Sequence, residues 1–100
     1  MNLNSVKNII LKTIDVEKII IYGSYAWGIP DENSDLDLFI VTNSKEDEMM
    51  QTLKVNKALF PRDYSLDLYI IENKKFQQRE KKNKFIQKIL NDGKELYNKS

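Results

Sequence analysis

Neither cysteine nor histidine occurs among the 100 residues of the chain. Their absence excludes disulfides, zinc sites built on thiolate or imidazole, Cys–His nucleophiles and imidazole acid–base chemistry. Any metal chemistry must therefore run on carboxylates. Glycine is scarce, with three residues, and proline scarcer, with two, and no repeat or low-complexity linker is visible. Long apolar runs are missing as well. Ile19-Ile20-Ile21-Tyr22 is far short of the roughly 20 residues that cross a bilayer, and the Met1 end lacks a signal-peptide pattern. No membrane association and a cytoplasmic location are expected. A dominant charge is also lacking: the formal net charge is +1, and with 41% hydrophobic residues this argues against wholesale disorder. The length predicts one compact domain over 1–100, with no room for a second catalytic domain.

The small net charge conceals a split. Residues 1–50 hold four Lys against nine Asp or Glu, a balance of −5, whereas 51–100 hold twelve Lys or Arg against six acids, a balance of +6. Asp31, Glu32, Asp35 and Asp37 concentrate the negative charge. Lys74, Lys75, Arg79, Lys81, Lys82, Lys84 and Lys88 concentrate the positive charge, opposed locally by Glu80 alone. The basic stretch reads either as a solvated helix face or as a docking surface for an acidic protein or a phosphate backbone.

Hydrophobic periodicity orders the chain. Val6, Ile9, Ile10 and Ile14 recur at helical spacing, which predicts a helix over 5–14 capped by Asn4 or Ser5. Lys18 to Tyr22 is a β-branched run stopped by Gly23, the pattern of a strand buried on both faces. A loop spans 24–33, with one helical turn over Tyr25–Trp27, and a second strand covers 36–41. Ser44-Lys45-Glu46-Asp47 predicts a capping box, followed by a helix whose apolar face is Met49, Met50, Leu53, Leu59 and Phe60 and which stops at Pro61. Met49 and Met50 are read as core. A third strand covers 66–71, and Phe85, Ile86, Ile89 and Leu90 form the face of a last helix closed by Gly93 as its C′ residue. Glu95–Tyr97 is a candidate terminal strand. The order predicts an α+β (mixed α/β) domain, with helices packed on a three- or four-stranded sheet.

Chemistry concentrates at the strand starts. Asp35 and Asp37 are two residues apart and so point to one side of the sheet, with Cα atoms on the order of 6–7 Å apart. Asp67 begins another apolar strand, and joins the pair if the two strands are neighbours. Three facing carboxylates are costly unless one holds a proton or a divalent cation compensates, and Mg²⁺ suits hard oxygen ligands shared with water and phosphate. Gly23-Ser24 follows a buried strand, where a glycine allows close approach and turn amides with the Ser24 hydroxyl can face phosphate oxygens. Two simpler motifs fail. Gly23 and Gly28 have P-loop spacing, but Ile29-Pro30 stands where lysine and a hydroxyl residue are required. Asp31-x-Asn33-x-Asp35 begins like a calcium loop, but Leu36 replaces the turn glycine and Thr42 the bidentate glutamate.

Gly23-Ser24-Tyr25-Ala26-Trp27-Gly28, then Ser34-Asp35-Leu36-Asp37-Leu38, then Asp67 together resemble the signature of the DNA polymerase beta-type nucleotidyltransferase superfamily. The length and the Gly93-Lys94-Glu95-Leu96-Tyr97 ending resemble its minimal nucleotidyltransferases, found beside HEPN-domain proteins in toxin–antitoxin pairs. The resemblance covers about residues 16–97 and implies a polymerase beta-like fold with a mixed sheet. By position it implies that Asp35, Asp37 and Asp67 are catalytic and hold two Mg²⁺ ions, with Asp67 helping to deprotonate the acceptor, and that Gly23 and Ser24 bind the nucleotide. One departure stands out: many relatives carry a basic residue before the second glycine, where this chain has Trp27. Trp27 and Tyr25 read equally well as base-stacking or packing residues.

The activity implied is transfer of a nucleoside monophosphate, AMP from ATP, to a hydroxyl acceptor with release of pyrophosphate. Because so short a chain has no room for an acceptor-binding domain, a partner is expected to complete the site: a HEPN toxin, with this chain as antitoxin. A catalytically idle module that occludes a HEPN ribonuclease stands as the alternative, as does transfer to RNA or to a small molecule such as an aminoglycoside.

Overall fold

The computed structural model describes all residues, 1–100. Its elements are α1 (Leu3–Thr13), β1 (Val16–Tyr22), α2 (Ser24–Trp27), β2 (Asp35–Thr42), α3 (Glu48–Ala58), β3 (Ser65–Glu72), α4 (Asn73–Arg79), α5 (Lys84–Asp92) and β4 (Lys94–Asn98). The strands form one mixed sheet in the order β3-β2-β1-β4. Strands β2 and β3 run parallel, while β1 is antiparallel to both β2 and β4. The expected α+β architecture is present, and the terminal strand is real, closing the β1 edge.

Helices cover both sheet faces, which explains the unbroken apolar strands. Ile19, Ile21, Leu36, Leu38 and Ile40 pack with Val6 and Ile10 of α1 and Val55 of α3. On the opposite face Ile20, Phe39, Val41 and Ile71 meet Phe76 of α4 and Ile86 and Ile89 of α5. Side chains alternate along a strand, so Asp35 and Asp37 share the face of Phe39 and Val41. The acids therefore extend the α4–α5 side of the core toward the sheet's end.

Several expectations are corrected. Met49, Met50, Leu53 and Phe60 are exposed, while Gln51, Val55 and Leu59 are the buried positions around α3. The apolar residues misled because the inward face follows Gln51, Val55 and Leu59 at four-residue steps, and one member of that stripe is polar. The capping box does not form: Ser44 Oγ instead accepts from the Glu46 amide at 3.2 Å, and the α3 N-cap is Asp47. The first helix starts earlier, where Asn2 Oδ1 accepts from Ser5 N. The basic stretch is not one helical face, since α4 and α5 are separated by a turn and Asn83 caps α5 through Ile86 N at 3.1 Å. Gly93 has φ −74, so it is no left-handed C′ residue. Space requires it instead: an added Cβ would lie 2.5 Å from the Ile89 carbonyl oxygen and 2.6 Å from Ile20 Cγ2.

Gln51 is fully buried, yet it is satisfied. It accepts from Thr42 Oγ1 at 2.8 Å, and its Nε2 donates to the Glu46 carbonyl at 2.6 Å. Ser44 N in turn donates to Thr42 Oγ1 at 3.1 Å. This network ties the end of β2 to the start of α3. Gln51→Leu should leave the Glu46 carbonyl unpartnered and destabilise the fold by about 1–3 kcal/mol, read as a lower urea midpoint.

Candidate active site

Topology brings the site together. Because β1 is antiparallel to β2, and β2 parallel to β3, the carboxyl end of β1 and the amino ends of β2 and β3 meet at one end of the sheet. Tyr22 pairs with Asp37, and Asp37 pairs with Asp67. Asp35 pairs with Ser65, one step nearer the strand start. All three predicted aspartates thus share one face and one end.

The Gly23 backbone is bound to this arrangement. Its φ of 76 is the chain's one positive value, a conformation that glycine adopts at little cost. An added Cβ would also run into Oδ2 of Asp37 and approach its Cγ to 3.1 Å. The glycine-serine turn therefore grazes the carboxylate. From Ser24 the chain makes the short α2, in which Ala26 N and Trp27 N both donate to the Gly23 carbonyl, at 2.9 and 3.0 Å. The predicted turn over 25–27 is thus present and begins one residue earlier. After the loop, Asp31 Oδ1 accepts from Asn33 N at 2.9 Å, and Asp31 N donates to Ser34 Oγ at 2.9 Å. Asp31, Asn33 and Ser34 thus form a self-closed turn that launches β2.

Electrostatics single out Asp37. Partial burial, the neighbouring Asp67 and Asp35 charges and a hydrogen bond shared with the Asp67 carboxyl raise its proton affinity above that of an ordinary aspartate. The Tyr22 hydroxyl is likewise pushed up to about 12, by burial first and then by the charges of Asp67 and Asp37. The close contact is a pair, Asp37 with Asp67, and no three acidic side chains are gathered into a ready metal cage. The donor chemistry still fits a hard cation: Asp37 and Asp67 face each other across the strands, and a divalent ion held between their oxygens relieves the repulsion of like charges.

Sequence reasoning missed the wall beside the acids. Tyr22 packs edge-on to Phe85 with centroids 5.9 Å apart, Tyr69 lies 5.9 Å from Phe85, and Trp27 lies 6.4 Å from Tyr22. Period two places Tyr69 on the Asp67 face, and that much was readable; the arrival of Phe85 from α5 was not. One cation of the basic second half consequently reaches the glycine-serine turn, with Lys88 Nζ 5.3 Å from the Trp27 ring centroid. Trp27 itself is half exposed. Asp35 and Asp67 are exposed and Asp37, Gly23 and Ser24 only partly covered, so the site is an open ledge.

A carboxyl whose folded-state pKa is raised binds its proton more tightly in the native state than in the unfolded one. Stability must then fall as pH rises from the unfolded value of 3.8 through the raised native value. Asp37→Asn should therefore be more stable than wild type to urea at pH 7, with the difference vanishing at pH 3. Equal midpoints for the two proteins at pH 7 would contradict the crowding of Asp37.

A family model described as Polymerase beta, Nucleotidyltransferase matches residues 4–100. No curated protein is similar enough in sequence to match. Among solved structures, a toxin–antitoxin crystal structure with AMP-PNP is 23% identical with a TM-score of 0.70, covering 100% of this chain and 76% of that one. Two mutant structures of the MntA–HpeT toxin–antitoxin pair are 21% and 20% identical, with TM-scores of 0.69 and 0.71. They cover 100% of this chain and 76% and 75% of theirs. These likenesses show a shared fold. With the glycine turn, the paired strand-start aspartates and a match spanning nearly its whole length, the chain belongs to the polymerase beta-type nucleotidyltransferase family.

Proposed function

We propose that the chain is a Mg²⁺-dependent nucleotidyltransferase that moves AMP from ATP to a side-chain hydroxyl of a HEPN-type toxin, acting as its antitoxin. The observation that carries this reading is the register contact of Asp37 with Asp67 directly beside the Gly23-Ser24 turn. Solved toxin–antitoxin structures of the same fold, one of them with AMP-PNP, support the nucleotide and the class of partner. The open ledge supports a partner as well, because a shallow edge needs a second surface to enclose the acceptor and exclude water.

In this reading each residue has a separable task. Gly23 lets the turn approach Asp37 closely, so that a phosphate bound along Gly23-Ser24 lies next to the carboxylates. Asp35 and Asp37 hold the metal, with Asp67 completing the set and accepting the proton of the attacking hydroxyl. Bound Mg²⁺ would acidify that hydroxyl and neutralise the triphosphate. Tyr22, partly buried and paired with Asp37 across the strands, covers the inner side of the acids, so their interactions with cations are less screened there.

The test is transfer of label from ATP to the co-encoded or co-purifying partner in Mg²⁺. Asp35→Asn with Asp37→Asn should cut transfer by a factor on the order of 100 or more, as loss of a principal charge-stabilising group does, with the far-UV spectrum unchanged. Full inhibition of the partner by that double variant, with no label transferred by wild type, would replace the enzyme reading by simple occlusion. The partner surface has its own test. Of the seven cations between Asn73 and Lys88, only Lys75 and Lys88 pair with a carboxylate. Reversing Lys81, Lys82 and Lys84 to glutamate should slow association with an acidic partner roughly tenfold at low salt. If the loss appears only when RNA is present, a phosphate backbone is the ligand of that surface instead.

A further inference from the structure

We propose that Lys88 is the phosphate-binding cation of this site, presented to the Gly23–Trp27 turn by the indole of Trp27, and that its ligand is the polyphosphate of a nucleoside triphosphate. The inference rests on the nucleotide reading above and assigns a residue to it.

Beyond a bound metal, the turn itself offers a polyphosphate no cation. Between Tyr22 and Ser34 the chain carries no Lys or Arg, while Asp31 and Glu32 add negative charge to that segment. A polyphosphate reaching Ser24 therefore meets Asp35, Asp37 and Asp67 with no cation from the turn itself. Lys88 arrives from a different element. Its helix is anchored by Ile86 and Ile89, both fully buried, and by Phe85, which packs against Tyr22 and Tyr69. Residues three apart on a helix lie on one side, so the helix that seats Phe85 beside the acids carries Lys88 toward α2. There its ammonium lies over Trp27.

The manner of holding matters. A carboxylate partner would neutralise the lysine, but a ring face attracts a cation while leaving its charge intact. Lys88's one carboxylate neighbour is Asp92 at 3.9 Å, with both side chains at least half exposed, and pairs of that kind bind weakly. A phosphate can take the lysine from Asp92 at little cost. Lys18, the other cation seated on a ring, lies over Phe76 in the interior of that face, away from the turn. With an ammonium on its face, Trp27 serves as a support for charge.

Calorimetry in Mg²⁺ with AMP-PNP and with inorganic tripolyphosphate tests the assignment. Lys88→Ala should weaken both by about tenfold, the loss of one charge-assisted contact, with the melting temperature unchanged because the side chain is exposed. Lys88→Arg should bind like wild type. Adding Trp27→Arg to Lys88→Ala, which returns a cation to the same turn, should recover most of the affinity. Wild-type affinity for both ligands in Lys88→Ala would overturn the inference and leave the nucleotide reading standing. Loss of AMP-PNP binding with tripolyphosphate unaffected would also overturn it, since the lysine would then touch the nucleoside. Wild-type protein that binds neither ligand would overturn the inference and the nucleotide reading together.

Discussion

Everything in this structure that bears on chemistry depends on the parallel register of β2 and β3, which sets Asp37 against Asp67. A slip of one residue would place Asp37 opposite a leucine and send alternate side chains to the wrong face. Facing like charges work against the register, by roughly 0.2–1 kcal/mol for a cross-strand pair. Burial works for it. Leu36, Leu38, Phe39, Ile40 and Val41 are all fully buried, and each contributes about 1.5–3 kcal/mol when taken from water. The core outweighs the repulsion several times over, so the acids are held in contact by residues with no part in the chemistry.

The same logic joins motifs that lie far apart in the sequence. Antiparallel pairing sets Tyr22 opposite Asp37, so the next residue must cross the carboxylate as the chain leaves the sheet. Only a residue without Cβ can do so, since the added atom would collide with Asp37 Oδ2. The glycine-serine turn and the aspartate pair are therefore one steric unit. A change in either displaces the other, and a phosphate placed by the turn is automatically close to the carboxylates.

The sheet and the acid pair were legible because strands buried on both faces write themselves as unbroken β-branched runs, and period two assigns Asp35 and Asp37 to one face without any tertiary information. Whether β2 and β3 were neighbours could not be read, since pairing is a long-range choice. The errors fall where periodicity and burial disagree. Met49, Met50 and Leu53 carried the apolar signal of α3, yet the inward stripe holds Gln51, whose polarity is hidden by partners at Thr42 and Glu46 that only the fold supplies. Gly93 looked like a helix stop of the left-handed kind, whereas crowding by Ile20 and the Ile89 carbonyl is what excludes a side chain. The aromatic wall joins residues from four elements, and no local pattern in the sequence links Tyr22 to Phe85.

That wall explains how an open ledge can still perturb a carboxyl. Asp67 and Asp35 are exposed and Asp37 only partly covered, so water alone would screen their mutual repulsion. Tyr22, paired with Asp37 across the strands and itself partly buried, covers the inner side, and burial is the largest cause of the shift at Asp37 and at Tyr22. A low dielectric on one side raises the cost of uncompensated negative charge and, by the same factor, the gain from any cation that neutralises it. Negative charge is thus costly on the inner side of the ledge, while its outer side stays open to solvent. A ligand or partner that closes the outer side would strengthen these interactions further, because it removes the water that still screens Asp67 and Asp35. Charge compensation and enclosure are therefore coupled in the proposed reading: a cation at these acids would be held most strongly with a second surface in place.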